Sequence, residues 1–70
     1  MNMKQEIVRY SNDNIRYIIN RNNSGQWHGL VIEYNHDGSI WYIRNYFNGK
    51  RIGLETYKPY SNEIYQSYFL

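Results

Sequence analysis

The sequence predicts an all-β fold, a single-layer antiparallel β-meander of about six strands. Three observations lead to this prediction. The chain repeats with a period of 24 residues, turn residues recur about every twelve positions, and the segments between them are rich in Tyr, Ile, Val, Trp and Phe. A fixed period in this range is typical of repeat architectures, in which each unit is one supersecondary element. Aromatic and β-branched residues favour strands, whereas helix is disfavoured because alanine is absent and leucine is scarce.

The repeat becomes visible when the sequence is shifted by 24 positions. The shift superposes Tyr10 on Tyr34, Asp13 on Asp37, Ile19 on Ile43, Gly25 on Gly49, and Gly29 on Gly53. A third, weaker copy follows, with Leu54 on Leu30, Asn62 on Gly38 and Ile64 on Ile40. We therefore expect one domain over residues 1–70, with repeats at about 6–29, 30–53 and 54–70.

Four turn sites divide the chain. Asp37-Gly38 and Asn48-Gly49 are favoured pairs for two-residue type I′ turns, because both central residues of such a turn need positive φ. Asp13-Asn14 and Ser24-Gly25 occupy the equivalent places in the repeat. The segments between these turns predict strands at roughly 5–10, 15–20, 27–34, 39–47, 51–57 and 63–69.

Two-residue turns would also set the register, and a slip of one residue would exchange the two faces of a strand. The expected pairs include Tyr17–Ile32, Ile19–Leu30, Ile32–Ile43, Tyr34–Trp41 and Ile43–Leu54. One face would then carry Val8, Tyr10, Tyr17, Ile19, Leu30, Ile32, Tyr34, Trp41, Ile43, Ile52 and Leu54. The other face would carry Trp27, Val31, Glu33, Tyr42, Arg44, Tyr46, Arg51, Glu55, Tyr57 and Tyr68.

Composition excludes several classes of protein. Seventy residues support one domain with a thin core, and the chain has no cysteine to form a disulfide. His28 and His36 have no ligand-like spacing around them, so we expect no metal site and no cofactor. The mild net charge of +2 and the mixed signs argue against DNA binding. Without an apolar stretch typical of a membrane span or a signal peptide, the chain is expected to be soluble and cytoplasmic.

Catalysis is not expected. The sequence has no Gly-x-Ser-x-Gly segment and no set of nucleophile, base and orienting group. Glu33 and Glu55 both flank Tyr42 on the predicted sheet and could form a pair of carboxylates. They are more simply explained as partners of Arg44 and Arg51 across neighbouring strands. We therefore predict a protein that is not an enzyme.

Two segments resemble the MORN-type repeat, in the variety found in bacteria and viruses. They are Gly29-x4-Tyr34-x3-Gly38 and Tyr46-x2-Gly49-x3-Gly53, and the likeness extends over residues 6–65. The chain departs from the pattern at Asn14, Asn22, Tyr57 and Asn62. The resemblance implies a curved single-layer sheet that serves as a binding scaffold, and some similar proteins are antitoxin-like while others dock on membranes or proteins. It implies no catalytic residue.

The candidate binding face combines aromatic rings with the charged guanidinium groups of arginine. Its residues are Trp27, Glu33, Tyr42, Arg44, Tyr46, Arg51 and Glu55. Rings can stack on a base and guanidinium groups can bind a phosphate. The same residue types form hot spots in protein interfaces, and cross-strand aromatic pairs can also simply stabilise a sheet. The sequence leaves these three interpretations open, so the expected ligand is a host or cognate protein or a small anionic nucleotide.

Self-association is expected because a single-layer sheet leaves apolar groups on both faces uncovered. A dimer is the simplest closed form. The expected contact is one apolar face of the sheet. The apolar end of the chain is expected to add a further contact through Ile64, Tyr65, Tyr68, Phe69 and Leu70, since so apolar an edge strand should not stay bare.

The residue usage also suggests a source for the gene. The chain is rich in Asn, Ile and Tyr and lacks Ala, which indicates AT-rich codons and a low-GC genome such as that of a phage, a large virus or a low-GC bacterium. The predicted function is a small binding protein that sequesters or inhibits a partner, namely a phage-encoded inhibitor of a bacterial defence system. The alternatives are an antitoxin-like protein that binds a cognate toxin and a structural MORN docking module.

Overall fold

The described part of the chain forms six β-strands. A computed structural model describes residues 4–59 and 63–70. The strands are β1 (Lys4–Arg9), β2 (Ile15–Arg21), β3 (Trp27–Tyr34), β4 (Ile40–Phe47), β5 (Lys50–Tyr57) and β6 (Tyr65–Phe69). The described residues contain no helix, and thus no helix that could cross a membrane. The predicted turn position Asn62 lies outside these residues.

The strands form one open sheet in the order β1-β2-β3-β4-β5-β6. Each strand runs antiparallel to its neighbour in sequence. The predicted all-β, single-layer meander is therefore confirmed. With no second layer in the described part of the chain, the sheet itself positions every candidate functional side chain.

The Asn48-Gly49 turn has the predicted type I′ geometry. Asn48 and Gly49 have φ angles of 49° and 86°, and Phe47 pairs directly with Lys50 across the two-residue loop. Asparagine and glycine adopt these left-handed conformations more readily than other residues. The two-residue turn predicted at Asn48-Gly49 is therefore confirmed.

The prediction of a two-residue turn at Asp37-Gly38 is wrong. The backbone N–H of Asn35 donates to the Ser39 carbonyl at 2.8 Å, and that of Gly38 donates to the Asn35 carbonyl at 3.0 Å. These bonds close a three-residue loop in which Gly38 has a φ of 91° but Asp37 is not left-handed. Asp37 instead accepts hydrogen bonds from the Ser39 backbone N–H at 2.9 Å and hydroxyl at 2.6 Å, a local bond that competes with the two-residue turn.

Two other turns have the same three-residue form. The loops between Tyr10 and Asn14 and between Asn22 and Gln26 show the same pair of backbone hydrogen bonds. Their left-handed residues are Asp13, with a φ of 71°, and Gly25, with a φ of 83°. The predicted two-residue turns at these places are therefore also wrong.

The longer loops change the register between β2 and β3. Ile19 pairs with Val31, and Ile18 pairs with Ile32, where the sequence predicted Ile19 opposite Leu30. A one-residue change reverses the faces of a strand. The side chains of Val8, Tyr17 and Ile19 consequently lie on the face that carries Val31 and Arg44, not on the predicted aliphatic one.

Between β3 and β4 the predicted register is confirmed in the centre and fails at one end. Ile32 faces Ile43 and Gly29 faces Tyr46 as expected, but a bulge places Tyr34 opposite Ile40 instead of Trp41. Between β4 and β5 a second irregularity places Ile43 opposite Thr56 instead of Leu54. That shift is of two residues, so the faces of β5 are conserved.

Two glycines mark equivalent irregularities, 24 positions apart. Gly29 has a φ of 97° and Gly53 has a φ of 68°. Gly29 lies where the β2–β3 register shifts, and Gly53 lies where the β4–β5 register shifts. Glycine is the residue that adopts positive φ inside a strand at least cost, and such bulges bend and twist a sheet.

The core is thin. Ile19 and Val31 are the buried hydrophobic residues in the described part of the chain, with exposures of 5% and 3%. Both lie on what we call the aromatic–arginine face, which carries Glu6, Val8, Tyr17, Ile19, Arg21, Trp27, Val31, Glu33, Tyr42, Arg44, Tyr46, Arg51, Glu55, Tyr57, Tyr65 and Phe69. The opposite surface, which we call the aliphatic face, carries Gln5, Ile7, Arg16, Ile18, Asn20, Leu30, Ile32, Ile43, Asn45, Phe47, Lys50, Ile52, Leu54, Thr56, Gln66 and Tyr68.

Candidate functional site

Two arginines share one carboxylate on the aromatic–arginine face. Arg44 Nε donates to Glu55 Oε2 at 2.6 Å, and Arg51 Nη1 donates to the same oxygen at 2.9 Å. The Glu55 side chain is 14% exposed, while those of Arg44 and Arg51 are 22% and 41% exposed. Two positive charges are thus balanced by one negative charge, and the group keeps a net positive charge. The predicted pairing of Glu55 with these arginines is confirmed.

The Arg44 guanidinium is held on two sides. Its central carbon lies 3.8 Å from the centre of the Tyr42 ring, which is well within the range of a cation–π contact. Burial disfavours the charged form of Arg44, but the hydrogen bond to Glu55 and the nearby negative charge outweigh this and raise the pKa of Arg44 above its ordinary value. The side chain is therefore a permanent, oriented cation.

A row of aromatic rings extends from this cation toward the last strand. Tyr42 stacks on Tyr57 with ring centres 4.9 Å apart, and Tyr57 stacks on Tyr65 at 6.0 Å. Arg51 lies over the Phe69 ring, with 4.4 Å between its guanidinium carbon and the ring centre. Arginine side chains and aromatic rings thus lie next to one another on β4, β5 and β6.

Tyr65 and Phe69 belong to this face, although the sequence placed them in an oligomer contact. The β5–β6 pairs Tyr57–Tyr65 and Gly53–Phe69 bring them there. The connection between β5 and β6 has no turn dipeptide, so the register of β6 could not be obtained from its loop. Side chains along β6 point alternately to the two faces of the sheet. Once the pairing of β6 with β5 is known, this alternation assigns Tyr65 and Phe69 to the aromatic–arginine face.

Tyr68 is placed wrongly by the sequence prediction. It pairs with Leu54 and therefore lies on the aliphatic face, where 72% of it is exposed. Ile64 and Leu70, also predicted oligomer contacts, flank β6 and are 59% and 108% exposed.

Trp27 and Tyr46 form the other aromatic contact of the face. Their rings meet edge to face, with centres 5.1 Å apart and an angle of 85° between planes, a favoured geometry for aromatic pairs. Tyr46 stands opposite Gly29, as the sequence predicted.

Glu33 differs from Glu55. It stands opposite Tyr42 in the sheet, but within residues 4–59 and 63–70 no salt bridge joins it to Arg44 or Arg51. Its predicted role as an arginine partner is therefore not observed. Since Glu55 is held by two arginines, the two carboxylates have different environments and show no shared acid–base arrangement.

A depression in the surface lies at the turns between β1 and β2 and between β3 and β4. It has a volume of about 310 Å³ and is lined by Arg9, Asp13, Asn14, Ile15, Tyr34 and Gly38. Neighbouring turns are joined there, because Tyr10 stacks on His36 at 3.8 Å and its hydroxyl donates to the Tyr34 carbonyl at 2.6 Å. These contacts join equivalent turns of the first and second repeats, as expected for packing between neighbouring repeats.

The aromatic–arginine face places guanidinium groups beside aromatic rings. No group of three or more His, Cys, Asp or Glu side chains that could hold a metal ion occurs in the described residues. The face provides guanidinium donors for an anionic group and flat rings beside them for an apolar or planar one. No known protein family, curated protein or solved structure matches this chain.

Proposed function

We propose that this chain is a non-enzymatic binding protein that sequesters or inhibits a partner protein through its aromatic–arginine face. The observation that carries the proposal is the pair Arg44 and Arg51 on one Glu55 oxygen, with Tyr42 stacked on the first guanidinium. Tyr, Trp and Arg are enriched among the residues that contribute most to protein interfaces. The matching group on the partner is a surface carboxylate with an apolar or aromatic neighbour.

The shape of the face favours a protein over a small nucleotide. Small-molecule sites are usually concave and enclose most of their ligand. This face is one side of an open sheet, and the depression of about 310 Å³ lies elsewhere, at the β1–β2 and β3–β4 turns. A flat surface with aromatic and arginine anchors is the usual form of a protein interface.

The anchors are already ordered before a partner binds. Arg44 is fixed by Glu55 and by the Tyr42 ring, so little side-chain freedom remains to be lost on binding. Its two Nη groups take no part in the hydrogen bonds described for the side chain and can donate to an incoming carboxylate. Preorganisation of this kind increases affinity without adding contacts.

The biological setting belongs to the same proposal. The low-GC residue usage and small size support a phage-encoded inhibitor of a bacterial defence protein. The equivalent glycines Gly29 and Gly53, 24 positions apart with positive φ in both, support the MORN-type interpretation of the scaffold. An antitoxin-like protein acting on a cognate toxin would use the same face, and the identity of the captured protein distinguishes the two.

The test is affinity capture from bacterial lysate, followed by binding measurements with the purified partner. The Tyr42→Ala/Arg44→Ala variant should bind the partner about tenfold or more weakly, because it removes a preorganised anchor. The control is Lys50→Ala, which removes an exposed cation on the aliphatic face. Equal affinity of the double variant and the wild type would refute the proposal. If the captured partner is a nucleotide, the proposal that this face binds a protein is refuted.

A further inference from the structure

The aliphatic face is an uncovered apolar surface. Its large side chains include Ile7, Leu30, Ile52 and Leu54, which are 48%, 41%, 39% and 43% exposed. Ile18, Ile32 and Ile43 lie between them on β2, β3 and β4. A contiguous apolar surface of this kind marks an interaction site.

Charge is distributed very unevenly between the two faces. The three described salt bridges, among them Arg21–Glu6 and Arg44–Glu55, lie on the aromatic–arginine face. Along β2–β5 the aliphatic face carries charge only at Arg16 and Lys50, near opposite ends of the strands. The middle of this face therefore has the character of a core that lacks its second layer.

We infer that the aliphatic face is covered by a second copy of this chain, so that two sheets pack face to face in a twofold-symmetric dimer. The size of the face fits this occupant. Six strands of up to eight residues give a face of about 24 by 26 Å, or roughly 1,200 Å² when two copies are counted. Stable, specific interfaces bury about 1,200–2,000 Å² in total.

Asn45 supports a second copy rather than an unrelated apolar surface. It lies between Leu30 and Ile52 on the aliphatic face, where its side chain is half-buried in the isolated sheet. Covering this amide with apolar groups alone would leave donors and acceptors unpaired. A second copy supplies an identical amide, and two amides can satisfy each other across a symmetric interface.

This dimer differs from one formed through β6, because it leaves the edge strand and both aromatic–arginine faces outward. It would present two binding faces in opposite directions and bind two partner molecules. The inference does not depend on the proposed function, since it concerns the other face of the sheet and is tested without a partner.

The first experiment measures the mass of the purified chain by sedimentation at tens of micromolar. The wild type should be a dimer, and Leu30→Lys/Leu54→Lys should raise the dissociation constant about a hundredfold or more, because two charges per copy would be buried. The matched control Ile64→Lys/Leu70→Lys places the same charges beside β6 and should leave the dimer intact. The inference would be overturned if the wild type is a monomer. It would also be overturned if the control variant is a monomer while the Leu30→Lys/Leu54→Lys variant remains a dimer.

The second experiment needs no substitution and so avoids variants that fail to fold. Isotope-labelled and unlabelled copies of the wild type are mixed, and nuclear Overhauser effects between copies are recorded for methyl groups. Contacts from Leu30, Ile52 and Leu54 to the other copy are expected. Contacts confined to Ile64 and Leu70 would assign the dimer to the β6 edge and refute the face-to-face arrangement.

Discussion

Arg44 and Glu55 form the shortest ion pair described in this protein, with 2.6 Å between Nε and Oε2. The pair lies at the irregularity that Gly53 introduces between β4 and β5. There, Gly53, Leu54 and Glu55 of β5 lie opposite the single residue Arg44 of β4, and Glu55 forms ion pairs with both Arg44 and Arg51. The irregularity of the sheet and the charge arrangement of the candidate site thus occur at the same place.

The shared carboxylate should contribute measurably to stability. Glu55→Gln keeps the shape but removes the charge that balances two partly buried guanidinium groups. We expect the free energy of unfolding to fall by about 1–3 kcal/mol, in the range for weakening a charged hydrogen-bonded pair. Urea denaturation measures it. The control Glu6→Gln acts on the more exposed pair with Arg21 and should cost less than about 1 kcal/mol; equal losses would contradict the central role of Glu55.

The Asn48-Gly49 turn provides a test of backbone conformation. Gly49 has a φ of 86°, and an added Cβ would meet the Gln26 side chain at an ordinary contact distance of 3.7 Å. Gly49→Val should cost about 1 kcal/mol or more, because a β-branched residue resists positive φ. Gly49→Asn should cost less, since asparagine tolerates this conformation. Thermal unfolding compares the two variants, and identical losses would show that crowding, not φ, decides the cost.

The thin core predicts a strong contrast between two isoleucines. Ile19 is 5% exposed and Ile64 is 59% exposed. Ile19→Val should lower the free energy of unfolding by about 0.5–1.5 kcal/mol, as expected for loss of one buried methylene group. Ile64→Val should change it by less than about 0.5 kcal/mol. Similar effects in chemical denaturation would show that the core lies elsewhere.

The Asp37 turn should respond to acid. Its two hydrogen bonds from Ser39 lower the pKa of Asp37 below the ordinary value of 3.8. A lowered folded-state pKa means that the carboxylate stabilises the fold above pH 3.8 and that this stabilisation is lost as the pH falls through the folded-state pKa. The melting temperature of the wild type should therefore fall more on acidification than that of Asp37→Asn. Parallel pH profiles would exclude a contribution from this turn.

Much of the fold follows from local sequence. The six strands lie close to their predicted ranges, because β-branched and aromatic segments bounded by turn residues have few alternatives. Asn48-Gly49 forms its type I′ turn because both residues accept positive φ. Tyr42, Arg44 and Glu55 share a face as expected, because the two-residue turn at Asn48-Gly49 sets the predicted register and the later shift of two residues conserves the faces.

The tertiary structure decided the features that depend on hydrogen bonds between residues close to the turns. The Asp37 carboxylate bonds to Ser39 and supports a three-residue loop, and the equivalent loop between Asn22 and Gln26 moves Ile19 to the face of Val31. A difference of one residue in a loop costs little free energy locally, yet it reverses a whole strand. The sequence by itself therefore determined which segments are strands and that they form a meander, while turn closure and the bulges at Gly29 and Gly53 determined which side chains meet.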